Sequence, residues 1–220
     1  MDAFIWQCGH RCVPEIHQDL PYRPAIFFDR DGTLIEERHY LHSPADLKLY
    51  PETIPGLRLL QQAGFLLYIF TNQAGVAHGF FTESELELLH RELLNQLEQA
   101  DVLISGILYC PHHPQAELPH YRLNCYGRKP HPGLLFQAAA RDHLALNNCY
   151  VVGDKLSDIL AGKQVGAATV LVLTGYGEEE QPKITPESQP DAIATDMSET
   201  SAWILQHSRK RSDADAGTNP

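Results

Sequence analysis

Asp29 and Asp31 stand one residue apart at the end of an apolar run, Ala25-Ile26-Phe27-Phe28, with Gly32-Thr33-Leu34 behind them. On extended backbone, residues i and i+2 point the same way, so the two carboxylates converge. Held that close they repel, and a divalent cation relieves the repulsion. Two further apolar runs end in polar groups. Phe65 to Phe70 runs into Thr71-Asn72-Gln73, and Tyr150-Val151-Val152 runs into Gly153-Asp154-Lys155, with Asp158 close behind. A basic pair, Arg128-Lys129, precedes the helical stretch that leads to the last of these runs. Singly, each piece has a plain reading: a solvated D-x-D turn, a T-N turn, an R-K-P loop. Together they suit phosphate chemistry. A carboxylate can attack phosphorus, and hydroxyl and ammonium groups can meet the charge that develops.

Such groups must be brought together by the elements that carry them. Short apolar runs of this kind read as strands buried on both faces. Further strands are expected over Ile104 to Tyr109, Thr169 to Leu173 and Ala192 to Ala194. Helical spacing predicts helices from Thr53 to Ala63, behind a Thr82/Glu85 capping box with Leu86, Leu89, Leu93 and Leu97, from Pro132 to Leu144, from Ser157 to Val165, and a last one to His207. Strands alternating with amphipathic helices make a doubly wound α/β parallel sheet, whose ligands bind beyond the carboxyl ends of the strands. Only a loop and one helix fit between the first two strands, so no large cap domain is expected and the site should be open. Residues 1–23 read as an irregular extension, 24–207 as the folded unit, and 208–220 as a disordered tail.

The 220-residue chain carries a formal net charge of −11, which argues against nucleic acid or an anionic membrane as partner. Five scattered cysteines do not look like a secreted disulfide framework. No signal-peptide pattern or membrane-spanning run is visible, so a cytoplasmic, monomeric protein with a small-molecule partner is expected.

The segments F-F-D-R-D-G-T-L, T-N-Q-A-G-V-A-H-G-F-F-T, Y-C-P-H-H-P, R-K-P-H-P-G and V-G-D-K-L-S-D resemble the haloacid dehalogenase superfamily of aspartate-dependent phosphohydrolases. Within it they are similar to the D-glycero-D-manno-heptose 1,7-bisphosphate 7-phosphatases and their histidinol-phosphatase relatives, over roughly residues 24 to 205. The resemblance implies a phosphatase that forms an aspartyl-phosphate, serving activated-heptose synthesis for lipopolysaccharide or surface glycans. It implies Asp29 as nucleophile and Asp31 as general acid and base, a role calling for a raised pKa that a neighbouring carboxylate can supply. Thr71 and Lys129 would meet the phosphoryl group. Mg²⁺ would be held by Asp29, the Asp31 carbonyl and Asp154. Glu37, Arg38, His39, Tyr40, Asn72, Gln73, Ala74, Arg128 and Lys155 would surround the substrate. Asp158 either orients Lys155 or makes a surface salt bridge.

Cys110, His112 and Cys125 look like part of that family's zinc loop, whose pattern ends in C-x-C before R-K-P. Here its last position is Gly127, leaving three ligands where a closed zinc site has four. His113, His120, a water, Cys8 or Cys12 could complete the set, or the loop binds no zinc and packs through its prolines and Tyr121. A second departure is His78, where the family commonly has arginine. Histidinol phosphate is the rival substrate. A non-catalytic phosphosugar-binding protein and a zinc-organised interaction module are the rivals from other classes.

Overall fold

A computed structural model of the chain describes residues 4–8 and 22–216. Seven parallel strands are formed: β1 (Phe4–Gln7), β2 (Ala25–Phe28), β3 (Leu66–Asn72), β4 (Gly106–Cys110), β5 (Tyr150–Gly153), β6 (Ala168–Val172) and β7 (Ala192–Ala194). The helices are α1 (Thr53–Gln62), α2 (Ala74–Ala77), α3 (Glu83–Gln99), α4 (Gly133–Asp142), α5 (Leu156–Lys163), α6 (Gly177–Glu180) and α7 (Met197–Ala216). The sheet order is β1-β4-β3-β2-β5-β6-β7. The chain starts its main sheet at the centre, walks outward through β3 and β4, then returns to the other side of β2 with β5. The strand order therefore reverses at β2, the point where crevices form in open parallel sheets.

Residues of β2 alternate between two cores. Ile26 and Phe28 face one layer with Leu57, Leu60, Leu89, Leu93 and Ile204 from α1, α3 and α7. Ala25 and Phe27 face the other with Leu134, Leu135 and Ala161 from α4 and α5. All four β2 residues are fully buried. Truncating one of these phenylalanines to alanine would cost about 3–5 kcal/mol, so the segment that aims Asp29 is held rigidly. The Thr82/Glu85 capping box forms as expected, its hydroxyl accepting from the Glu85 N–H at 3.2 Å.

Two expectations fail at the ends. Residues 4–7 of the expected irregular extension form β1, which pairs in register with β4, Phe4 opposite Gly106. The Phe4 ring covers Gly106, where any Cβ would strike it at 2.3 Å, and the Arg141 guanidinium lies 3.3 Å from the ring's centre. Four residues with no polar alternation give no strand period, so the pairing is visible only in three dimensions. Cys12 lies outside the described residues. At the other end, α7 runs past His207 to Ala216, through part of the expected disordered tail. Arg211 anchors it, donating to the Asn147 carbonyl at 2.7 Å and to Asn148 Oδ1 at 2.9 Å. No helix among the described residues is long and apolar enough to cross a membrane.

Candidate active site

The carboxyl ends of β2, β3 and β5 and the turn before α4 meet in one cleft of about 270 Å³. Asp29 extends the β2–β5 ladder by one bond, its N–H donating to the Val152 carbonyl at 2.8 Å. Beyond it the chain turns at Gly32, which has φ +83° and lies against Asp154 so closely that a Cβ there would fall 2.2 Å from the carboxylate. Only glycine permits both that backbone and that approach.

Lys129 forms the floor. Its Nζ forms ion pairs with Asp29 Oδ1 at 2.8 Å and Asp158 Oδ1 at 2.6 Å, donates to the Phe70 carbonyl at 3.1 Å, and sits over the Phe70 ring. The Lys129 backbone is gripped in turn. Asn72 accepts its N–H at 3.0 Å and donates to its carbonyl at 3.1 Å. Burial opposes the Lys129 charge, but the Asp158 and Asp29 carboxylates outweigh it and hold the ammonium above its ordinary range. Burial likewise opposes the Asp29 charge, and Lys129 with Lys155 keeps that carboxyl below its ordinary value. Asp158 is therefore not a surface ion pair, and it does hold Lys155, through that residue's backbone N–H. It is fully buried against Lys129, and its other oxygen accepts the Lys155 N–H at 3.1 Å at the start of α5.

Asp154 lies beside Asp29 and Asp158, all three offering oxygens within 4.8 Å of one another. One Asp154 oxygen accepts the Tyr176 N–H at 2.9 Å, while the other is buried with no hydrogen-bond donor. Burial first, then the Asp29 charge, pushes Asp154 up to about 8. A buried, donor-free carboxylate oxygen beside a second carboxylate is the environment a hard divalent cation fits. Asp31 is surrounded by donors and not by a second carboxylate, contrary to expectation. Arg30 grips it with two N–H groups at 3.0 Å each, and Gln73 donates to it at 2.9 Å and to Thr71 Oγ1 at 2.8 Å. Arg30 is fully buried and reaches His90 Nε2 at 2.9 Å. Its role was not readable from sequence, since an arginine between two aspartates would point away from both on a continuing strand.

The rim carries most of the predicted substrate contacts. Glu37, His39, Tyr40, Thr71, Asn72, Gln73, Ala74, Lys129 and Lys155 all line the cleft, joined by Ser157 and Tyr176, which sequence reasoning missed. Lys155 reaches Glu37 at 3.5 Å and lies over the Tyr176 ring, whose hydroxyl meets His39 at 3.1 Å. Two residues fall elsewhere. Arg38 turns to solvent and pairs with Glu36 at 3.0 Å, and Arg128 donates to the His112 carbonyl at 3.1 Å. Beyond Arg128, Cys110, His112 and Cys125 do come together, and the fourth group among them is Cys8. His113 and His120 lie against His78 and Tyr121 instead.

A parallel sheet whose central strand delivers paired aspartates to a lysine-floored cleft defines a haloacid dehalogenase-like hydrolase. A family model described as HAD-hydrolase-like matches residues 126–200. The chain is 41% identical over 167 residues to the D-glycero-beta-D-manno-heptose-1,7-bisphosphate 7-phosphatase of Escherichia coli, covering 76% of this chain and 84% of that one. It is 38% identical over 155 residues to the alpha-anomer enzyme of Photorhabdus laumondii, covering 70% and 85%. The crystal structure of D,D-heptose 1.7-bisphosphate phosphatase from B. bronchiseptica, complexed with magnesium and phosphate, superposes with a TM-score of 0.74 at 30% identity, over 84% of this chain and 99% of that one. The chain belongs to the D-glycero-D-manno-heptose 1,7-bisphosphate 7-phosphatase family.

Proposed function

We propose that this enzyme removes the 7-phosphate of D-glycero-D-manno-heptose 1,7-bisphosphate in the making of activated heptose for lipopolysaccharide or surface glycans. The reading rests on family membership together with one observation: Asp29, Thr71 and Lys129 converge on the floor of a cleft that, among the described residues, no second domain covers. Asp29, kept ionised by Lys129, attacks phosphorus and forms an aspartyl-phosphate, while the sugar oxygen leaves. Asp31, aimed by Arg30 and Gln73, gives that oxygen its proton and later takes one from the water that hydrolyses the intermediate. Thr71 and Lys129 meet the charge on the transferring group. Asp29, the Asp31 carbonyl and Asp154 would hold a Mg²⁺ ion, which when bound would supply charge neutralisation for the phosphoryl group. The donor-free Asp154 oxygen supports that assignment. Glu37, His39, Tyr40 and Lys155 form the rim that receives the sugar.

The cysteine loop is read as a structural Zn²⁺ site built on Cys110, His112 and Cys125. Five cysteines scattered without a disulfide-framework pattern support a reducing, cytoplasmic setting.

The test is phosphate release from D-glycero-β-D-manno-heptose 1,7-bisphosphate, with Mg²⁺ and with EDTA, using wild type and Asp29→Asn. Release that needs Mg²⁺ and vanishes in the variant is expected. No release from folded protein, or faster turnover of histidinol phosphate, would overturn the substrate assignment.

A further inference from the structure

We propose that Cys8 is the fourth ligand of a Zn²⁺ ion held with Cys110, His112 and Cys125, and that the ion thereby clips β1 to the edge of the sheet. The proposal rests on reading the cysteine loop as a zinc site, and goes beyond it in assigning Cys8, the origin of the glycine at 127 and a function for the N-terminal segment.

The donor set has the right chemistry and the right spacing. Three thiols and an imidazole are the Cys₃His combination of closed structural zinc sites. Bonds of about 2.3 Å to sulfur and about 2.0 Å to nitrogen, arranged tetrahedrally, put sulfurs about 3.8 Å apart and sulfur about 3.6 Å from nitrogen. Cys8 Sγ lies 3.3 Å from Cys125 Sγ and 3.2 Å from His112 Nδ1, and Cys110 Sγ lies 3.8 Å from the same nitrogen. All four ligand atoms fall within 4.8 Å of one another. The Gly127 N–H points at Cys125 Sγ at 3.3 Å, a bond that suits a thiolate acceptor. Binding would release the three thiol protons and leave the imidazole neutral.

Gly127 and Cys8 occupy one space. A Cβ at 127 would lie 2.4 Å from Cys8 Cβ and 3.4 Å from Cys8 Sγ. A side chain at 127 and the thiol of residue 8 are therefore alternatives, and this chain has taken the second. The consequence falls on β1. Its four residues are all only partly buried, whereas Cys8, directly after them, is buried. The Cys8 N–H also carries the β1–β4 ladder one bond further, donating to the Tyr109 carbonyl at 2.9 Å. A two-stranded edge contact of four residues is weak alone. A metal–thiolate bond at its end fixes it against the loop that leads directly to Arg128 and Lys129.

The experiment uses the full chain, purified under reductant, with metal content by elemental analysis, Co²⁺ substitution followed by absorption, and hydrogen exchange of residues 4–8. Wild type should hold one Zn²⁺ per chain and give a Co²⁺ spectrum with charge-transfer intensity for three thiolates. Cys8→Ser should keep Cys110, His112 and Cys125 but weaken metal binding by about 100-fold or more, beyond the roughly 10–100-fold that loss of a supporting neighbour costs. Its Co²⁺ spectrum should fall to two thiolates, and residues 4–8 should lose protection. Cys8→Gly combined with Gly127→Cys should restore the three-thiolate spectrum and metal affinity while residues 4–8 stay unprotected. That rescue also guards against a Cys8 variant that merely folds poorly. Wild type that takes up neither Zn²⁺ nor Co²⁺ would overturn the zinc reading itself. Normal metal binding with an unchanged three-thiolate spectrum in Cys8→Ser would overturn the assignment of Cys8 alone. A Cys8–Cys125 disulfide in the reduced preparation, seen by mass spectrometry, would overturn both.

Discussion

Asparagine at position 154 should make the metal-free enzyme more stable while destroying its response to magnesium. The Asp154 carboxyl is displaced from an ordinary 3.8 to about 8, first by burial and then by the neighbouring Asp29 charge. Between those two pH values the folded protein holds a proton that the unfolded chain has lost. Stability of the metal-free wild type therefore falls as pH rises through this window and levels off above it. The gap between 3.8 and about 8, at about 1.4 kcal/mol per pH unit, sets a ceiling of about 6 kcal/mol. Asp154→Asn removes that term but must still satisfy a buried amide. Its oxygen can keep the Tyr176 N–H, and its NH₂ can face Asp29. We expect a net gain of about 1–3 kcal/mol at pH 8, or about 3–10 °C in Tm for a chain of this size. The gain should shrink toward nil near pH 4. Asp158, raised to about 6 chiefly by burial, adds a slope of the same sign at lower pH, and because its charge also acts on Asp154 the two proteins are compared above pH 6. The assay is thermal unfolding in EDTA and in millimolar Mg²⁺ across this pH range, with turnover measured alongside. Wild type should be stabilised by Mg²⁺ through mass action, and the variant should not. A variant no more stable than wild type in EDTA at pH 8, a gain independent of pH, or an undiminished Mg²⁺ response would refute the reasoning.

Gln73→Leu removes donors to both Asp31 and Thr71. It should lower kcat about 10–100-fold with KM changed far less, and an equal effect on both would argue for a binding role instead. Asn72→Ala deletes the reciprocal bonds to the Lys129 backbone and should cost about 1–3 kcal/mol in urea unfolding, with a matching fall in kcat/KM. Lys129→Met leaves Asp29 and Asp158 buried without the cation between them. It should lose turnover and about 3–5 kcal/mol of stability at neutral pH, and a variant as stable as wild type at pH 7 would show that the buried pair is not what holds the floor.

The strand ends that carry Asp29, Thr71 and Asp154 were legible because each breaks a fully apolar run, and a parallel sheet leaves few places for such breaks to meet. The capping box at Thr82 was legible because its signal is local. The Asp158–Lys129 pair was not, because 29 positions separate its members and only the docking of α5 against the turn before α4 brings them together. Arg30 escaped notice because its neighbour is adjacent in sequence. It reaches Asp31 only through the sharp turn at Gly32, which bends the chain off the strand direction. Both chain ends were misjudged because β1 is too short to show a period, and because the last turns of α7 are polar and gain their hold from Arg211 on a distant loop.

Among the described residues no second domain covers the cleft, so a bound substrate would itself have to shut water out from around the reacting phosphate. With a phosphate seated on Lys129, a sugar would lie across the rim made by Glu37, His39, Tyr40, Lys155 and Tyr176. A substrate too small to bridge those side chains would leave the aspartyl-phosphate wet, and one with further groups beyond the rim would meet only solvent. Discrimination thus falls on a fence one side chain deep, cross-linked within itself from Glu37 through Lys155 and Tyr176 to His39. Redesign of the leaving group accepted by this scaffold can be confined to that fence, with the catalytic floor left untouched.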